Sequence, residues 1–237
     1  MLILIAAAVI PAVFLLVQVY RLDRLEPEPP SLLLSLVILG VLSTALASLA
    51  EQLGDFLLAW FVPENTALYQ VLLYFIVVGL SEEGFKYLLL RNRTWNAPQF
   101  NCQFDGVVYA VFVSMGFALW ENIGYVLRFG MSTAVARAVT AIPGHACFGV
   151  FMGVWYGVAK RQAMAGEKDN SVRSRRLAVL VPTLLHGLYD YLAMQNSDRA
   201  GLAFLAFVSL LFIASWRLAR VNARRDRYID PPGTGPV

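Results

Sequence analysis

Apolar runs long enough to cross a membrane recur from one end of this chain to the other, and nothing else in the sequence constrains the fold as much. Seven can be placed, at about residues 2–20, 31–49, 67–90, 106–127, 138–159, 177–194 and 201–218. At ~1.5 Å per residue each can cross a ~30 Å hydrocarbon core. The runs are continuous and do not alternate, which argues against a β-barrel. The expectation is an all-α polytopic transmembrane bundle. Composition agrees: 58% of the 237 residues are hydrophobic and 15% are charged, against about a quarter charged in soluble domains.

Basic residues set the orientation. Connections on one side would carry 15 lysines and arginines and those on the other 3, with Lys86 inside a span. That bias puts the N-terminus outside and the C-terminus in the cytoplasm. Residues 1–221 read as one integral-membrane domain with its core at about 67–194. Residues 222–237 read as a basic, disordered tail, and 165–174 as a mobile cytoplasmic loop. The second run is expected to continue toward Phe61 as an interfacial helix, because Glu51 and Asp55 interrupt it. The N-terminal run has no basic residues ahead of it, so it reads as a first span and not a cleaved signal. Cys102 and Cys147 fall in different segments, which argues against a disulfide framework or a Cys-based metal site. No basic patch interleaved with aromatics suggests a nucleic-acid partner. No internal repeat is evident.

Against this apolar background a few residues stand out. The third run contains Gly79-Leu80-Ser81-Glu82-Glu83-Gly84-Phe85-Lys86. A charge near the middle of a bilayer costs roughly 2.5–3.5 kcal/mol on insertion scales, and such residues usually mark a site. Glu121 and Asn122 lie in the fourth run, Pro143 and His145 in the fifth, and His186 and Asp190 in the sixth. His145 and His186 are the only two histidines of the chain. The i, i+4 spacing of His186 and Asp190 puts both on one helical face. Pro143 is expected to kink its span, and Pro182 to bend the next. Each feature alone has a structural explanation: a packing amide, a kink, a His–Asp pair. Together, on four spans at similar depth toward the outer interface, they suggest one shared cavity.

Charge sharpens the point. Glu82, Glu83, Glu121 and Asp190 bring −4 when ionised, and Lys86 returns +1. A surplus of that size in low dielectric calls for protons or a divalent cation. Lys86 is i+4 from Glu82 and i+3 from Glu83, so it is expected to pair with one and leave the other free; which one stays open. Glutamates, histidines and an amide gathered in low dielectric suggest water activation and hydrolysis. There is no Gly-x-Ser-x-Gly and no His-Glu-x-x-His. A proton- or cation-coupled transporter would also bury such groups, and a non-enzymatic scaffold or immunity protein is a third reading.

Five segments in order resemble the PrsW family of intramembrane proteases, within the wider group of CAAX-processing and bacteriocin-immunity membrane proteases. They are Ser81-Glu82-Glu83-Gly84-Phe85-Lys86, Phe104-Asp105-Gly106-Val107-Val108-Tyr109, Gly116-Phe117-Ala118-Leu119-Trp120-Glu121-Asn122, His145, and His186-Gly187-Leu188-Tyr189-Asp190. The early Asp23-Arg24-Leu25-Glu26-Pro27-Glu28-Pro29 also resembles that family's first loop. Glu121 stands where the wider group has His, and Asp190 where it has Asn; both departures agree with the PrsW branch. The resemblance implies a bacterial plasma-membrane endopeptidase acting on a single-span substrate in the bilayer, such as a membrane-anchored anti-sigma factor cut on its outer side. It implies Glu82 as general base, with Glu83 supporting it through Lys86. Glu121, His145 and His186 would activate water or bind Zn2+ or another divalent metal, and Asn122 and Asp190 would orient them or bind the oxyanion. The family is described both as metal-dependent and as glutamic, and in the second case no metal is needed.

Overall fold

A computed structural model describes residues 2–229 and shows an all-α polytopic bundle. Its helices are α1 (Leu2–Tyr20), α2 (Pro30–Phe61), α3 (Ala67–Leu72), a π-helical stretch (Leu73–Gly79), α4 (Leu80–Thr94), α5 (Asp105–Phe129), α6 (Met131–Val139), α7 (Ala141–Met164), α8 (Lys168–Ala193) and α9 (Asp198–Arg224). α3, the π stretch and α4 run on as one helix, Ala67–Thr94. Among the described residues, six helices are long and apolar enough to cross a membrane. The seventh expected span is the second half of α8, whose first half carries Lys168, Asp169, Arg173, Arg175 and Arg176. That apolar half packs against α7 and the π stretch.

α5 is the axis of the bundle. Every residue from Asp105 to Ala118 is buried, as a helix that is apolar on all sides requires. α7, α2 and α1 surround it, while outward residues such as Leu34, Leu49 and Leu202 stay exposed.

Close approach to α5 depends on missing side chains. Gly149, Gly153 and Gly157 form one stripe on α7, four residues apart. A Cβ on Gly153 would lie 2.4 Å from Val107 Cα, and one on Gly157 2.1 Å from the Gln103 carbonyl oxygen. α2 meets α5 the same way: a Cβ on Gly40 would lie 2.1 Å from Val113 O, and one on Gly116 2.1 Å from Val37 O. The backbones therefore touch, and the charged side chains beyond these contacts are held at defined heights.

Three expectations change in detail, and a fourth, the continuation of the second run to Phe61, is met. Pro143 does not kink a span. The helix breaks earlier, at Thr140 (φ −123°, ψ −70°) between α6 and α7, which leaves Pro143 in the first turn of α7, where a missing N–H costs nothing. The 165–174 region is not a mobile loop. α7 ends at Met164, a short turn follows, and α8 starts at Lys168, with Ser171 Oγ donating to Ala159 O at 2.8 Å and Ser174 Oγ to Gln162 Oε1 at 2.7 Å. Order also extends into the expected tail. α9 continues through Arg224, Ile229 N donates to Asn101 O at 2.6 Å and Gln103 N donates to Arg227 O at 3.1 Å; residues 230–237 lie outside the described residues. Finally, α2 runs unbroken to Phe61, with Tyr69 donating to Asp55.

The first connection is extended at Pro29 (φ −60°, ψ 130°), and Pro30 opens α2. It nonetheless buries two acids, Asp23 and Glu28. Burial, with Asp226 and Glu26 close by, pushes Asp23 up to about 6. Burial pushes Glu28 up to about 7 even though it accepts a hydrogen bond from Tyr109.

Gly153→Leu is expected to prevent α5 and α7 from docking and to cost more than the ~1–3 kcal/mol of ordinary overpacking, because the obstacle is backbone. Gly124→Ala, with nothing within 4 Å of the new Cβ, should leave stability unchanged or slightly raised. Thermal unfolding of the two purified variants in detergent compares them directly.

Candidate active site

One α4 turn carries all three charges of the Glu82–Lys86 segment inward: Glu82, Glu83 and Lys86 are 6%, 0% and 0% exposed. The π-helical stretch immediately precedes them; such irregularities frequently accompany functional sites. Lys86 Nζ donates to Glu83 Oε1 at 2.7 Å and to Glu82 Oε2 at 3.2 Å. The lysine pairs with both glutamates, where the sequence suggested one. It also lies 3.2 Å from His145 Nδ1 and sits over the Phe117 ring, 3.9 Å from its centroid.

From this ammonium the network spreads across the bundle. His186 Nδ1 lies 2.9 Å from Glu83 Oε1 and 3.8 Å from Glu82 Oε2, and its Nε2 lies 3.4 Å from Asp190 Oδ2. An acid on each ring nitrogen, and the Phe148 ring stacked on its face at 4.7 Å, hold this imidazole in one orientation. His145 Nε2 lies 3.0 Å from Glu121 Oε2, and the two imidazole centroids are 5.3 Å apart. Arg137 of α6 donates to Glu121 Oε2 at 2.7 Å and to Asn122 Oδ1 at 2.9 Å, while Asn122 Nδ2 donates to Ala8 O at 2.9 Å. Asn122 thus ties α1, α5 and α6 together behind the site and does not line it.

These groups border a cavity of about 290 Å3. Glu82, Glu121, His145, His186 and Asp190 all line it, so four of the spans do converge as their depths suggested. Glu83 does not; it is sealed behind Lys86 and His186, and its Oε2 is buried without a partner. The lining also includes Glu51, Tyr74, Tyr125, Arg137 and Tyr189, which sequence reasoning left out. Arg137 looked like an ordinary loop basic residue, and only the break at Thr140 folds α6 back so that it faces Glu121. An unbalanced charge count was the one available signal, since a surplus of carboxylates predicts a further cation. Glu51 read as an interruption of the second span and not as part of the cavity wall.

The donor set suited to a metal is Glu82, Glu83, His145 and His186, with one ligand atom from each within 4.8 Å of the others. It shares His145 and His186 with the trio expected from sequence. Glu121 stands beside it, in an ion pair with Arg137. Two imidazoles and two carboxylates have the chemistry a zinc-type ion takes. Lys86 Nζ already contacts three of these four side chains, so ion and ammonium would compete for them.

Comparison with known proteins gives a consistent answer. A family model described as PrsW family intramembrane metalloprotease matches residues 28–217. The chain is similar to Protease PrsW of Geobacillus kaustophilus, 32% identical over 99% of this chain and 97% of the relative. It is similar to Protease PrsW of Bacillus subtilis, 30% identical over 96% and 97%, and to that of Clostridioides difficile, 31% identical over 86% and 85%. No solved structure matches.

Glu83→Ala would leave Lys86 and His186 short of their shared acid in a sealed site. Removing one partner of a buried pair costs about 3–5 kcal/mol, and that loss is expected in thermal or denaturant unfolding. Glu121→Ala, whose side chain is 21% exposed, should lose clearly less; equal losses would contradict the assigned burial.

Proposed function

The chain belongs to the PrsW family of intramembrane proteases and is a multi-pass membrane protease; from that premise we propose that Glu82 activates the water that cuts a single-span membrane substrate at this cavity. The observation that carries the reading is the contrast between the two glutamates. Glu82 borders the cavity while Glu83 is sealed and spends its Oε1 on Lys86 and His186. Glu82 Oε1 takes none of the hydrogen bonds described, so it is available to a water.

In the proposed reaction the Glu82 carboxylate takes a proton from that water as its oxygen attacks the scissile carbonyl carbon. The C–N bond breaks, and Glu82 returns the proton to the leaving amine nitrogen. Lys86 holds Glu82 in place through its other oxygen. Arg137, whose guanidinium borders the cavity, is the group suited to the developing oxyanion, and Asn122 positions it. Asp190 and Glu83 fix His186. A zinc-type ion held by Glu82, Glu83, His145 and His186 would supply Lewis acidity toward the same carbonyl.

Orientation is inferred from the basic connections. They gather at the end of the bundle opposite the cavity, so the cavity opens toward the outer half of the bilayer. A substrate cut there would be released on the outer side, and a membrane-anchored anti-sigma factor is the first candidate on the strength of the family resemblance. Membership of a protease family weighs against the transporter reading.

Purified protein incubated with a single-span substrate tests this directly. Glu82→Gln is expected to slow cleavage by at least ~10^2-fold, in the range of one general base, and to leave unfolding nearly unchanged. Undiminished cleavage by Glu82→Gln and by His186→Ala would sink the proposal. Metal analysis of the same preparations decides the second point. A bound divalent ion that is lost with His145→Ala and His186→Ala, together with inhibition by chelators, is the expected result. Full activity in chelator would leave Glu82 working alone.

A further inference from the structure

Three acids meet at the other end of the bundle. Asp23 comes from the connection after α1, Glu28 from the residues just ahead of α2, and Asp105 opens α5. One oxygen from each lies within 4.8 Å of the others. Their exposures are 5%, 4% and 0%. Asp105 precedes Glu121 on the same helix by about four and a half turns, or ~24 Å, so this cluster is separate from the proteolytic cavity.

The oxygens fall into two sets. One set is oriented by the protein: Glu28 Oε1 accepts from Tyr109 OH at 2.6 Å, and Asp105 Oδ2 accepts from Cys102 N at 2.7 Å and Asn101 N at 3.0 Å. The other set is buried and lacks a partner at ordinary hydrogen-bond geometry: Glu28 Oε2, Asp105 Oδ1, and Asp23 Oδ1 and Oδ2, which only the Glu28 backbone N–H approaches. Asp226, which receives Phe104 N at 2.8 Å, adds a fourth acid with an unpartnered buried Oδ2. Among the described residues no lysine, arginine or histidine forms an ion pair with Asp23, Glu28 or Asp105. Buried polar atoms are nearly always satisfied, and buried charges are paired or coordinate metals.

We propose that Asp23, Glu28 and Asp105 bind a hard divalent cation of the Mg2+, Ca2+ or Mn2+ class. The donors are carboxylate oxygens only, which suits these ions and not a thiolate- or imidazole-seeking one. The hydrogen bonds on Glu28 Oε1 and Asp105 Oδ2 aim each carboxylate and leave its second oxygen for the ion, as outer partners of metal ligands do. The ion clasps the α1–α2 connection to the start of α5. It also steadies the 101–104 segment, on which the C-terminal residues Arg227 and Ile229 are hydrogen-bonded. The segments containing Asp23, Glu28 and Asp105 resembled family motifs, yet the proteolytic chemistry uses none of these three.

The test uses the full chain in detergent, stripped of metal, carrying Glu82→Gln and His186→Ala to remove donors from the other cluster. Mn2+ titration followed by electron paramagnetic resonance should show one equivalent bound, displaced by Mg2+ or Ca2+, and the unfolding temperature should rise as the ion is added. Adding Glu28→Gln should weaken Mn2+ binding at least tenfold, and Asp23→Asn with Asp105→Asn should abolish both effects. If the latter variant does not fold, the Glu28→Gln titration decides. A folded parent that binds no Mn2+ at millimolar concentration, or a Glu28→Gln variant with unchanged affinity, overturns the site.

Discussion

The ammonium of Lys86 is the interaction on which the active end of this molecule depends. It is fully buried and contacts Glu82, Glu83 and His145 at once. Two adjacent glutamates inside an apolar bundle would repel one another and resist burial. One cation between them makes the arrangement tolerable, and Phe117 below it adds a favourable ring face. Glu83 then carries the charge balance inward to His186, and Glu82 is left facing the cavity. A division of labour between neighbouring identical residues follows from which side of the helix each occupies, about 100° apart.

That network works only if four helices hold their side chains at the right heights. Backbone contact along α5 supplies this. Glycines on α7 and α2 let main chains approach where any side chain would collide, and van der Waals contact of this kind drives helix association in lipid, where no hydrophobic force separates helix from solvent. The same close packing explains why α5 is buried over its whole first half. α5 also contributes an acid to each cluster, Asp105 toward the first connection and Glu121 at the cavity.

The two ends of the bundle handle charge differently. At the cavity, carboxylates are matched by Lys86, Arg137 and two imidazoles. At the other end, Asp23, Glu28 and Asp105 have hydrogen-bond donors on some oxygens and no basic partner. What sets the second cluster apart is that no basic side chain reaches its carboxylates, so their unbonded oxygens are open to an ion. Arginines are plentiful nearby, yet they face outward and line separate surface grooves, such as that of Arg24, Arg220 and Arg224.

Sequence by itself determined the membrane bundle and picked out most of the buried polar side chains that the fold gathers around the cavity, because both rest on local rules. Hydrophobic length sets the spans, and a charge inside a span is costly enough to mark itself, so Glu82, Glu83, Lys86, Glu121, His145, His186 and Asp190 were all legible. Helical spacing alone put Lys86 within reach of both glutamates and Asp190 beside His186. Tertiary structure decided what depends on contacts between distant segments. It showed that Lys86 serves both glutamates, that Asn122 braces Arg137 from behind the site, and that Arg137 and Glu51 join the cavity wall. It also gathered Asp23, Glu28 and Asp105, up to 82 positions apart, into one buried cluster. Apart from the Lys86 pairs, which lie one turn apart on one helix, none of these has a short-range signature: they depend on contacts between distant segments, such as the fold-back after the helix break at Thr140 and the glycine contacts that set the relative height of helices, and those are settled only when the helices pack.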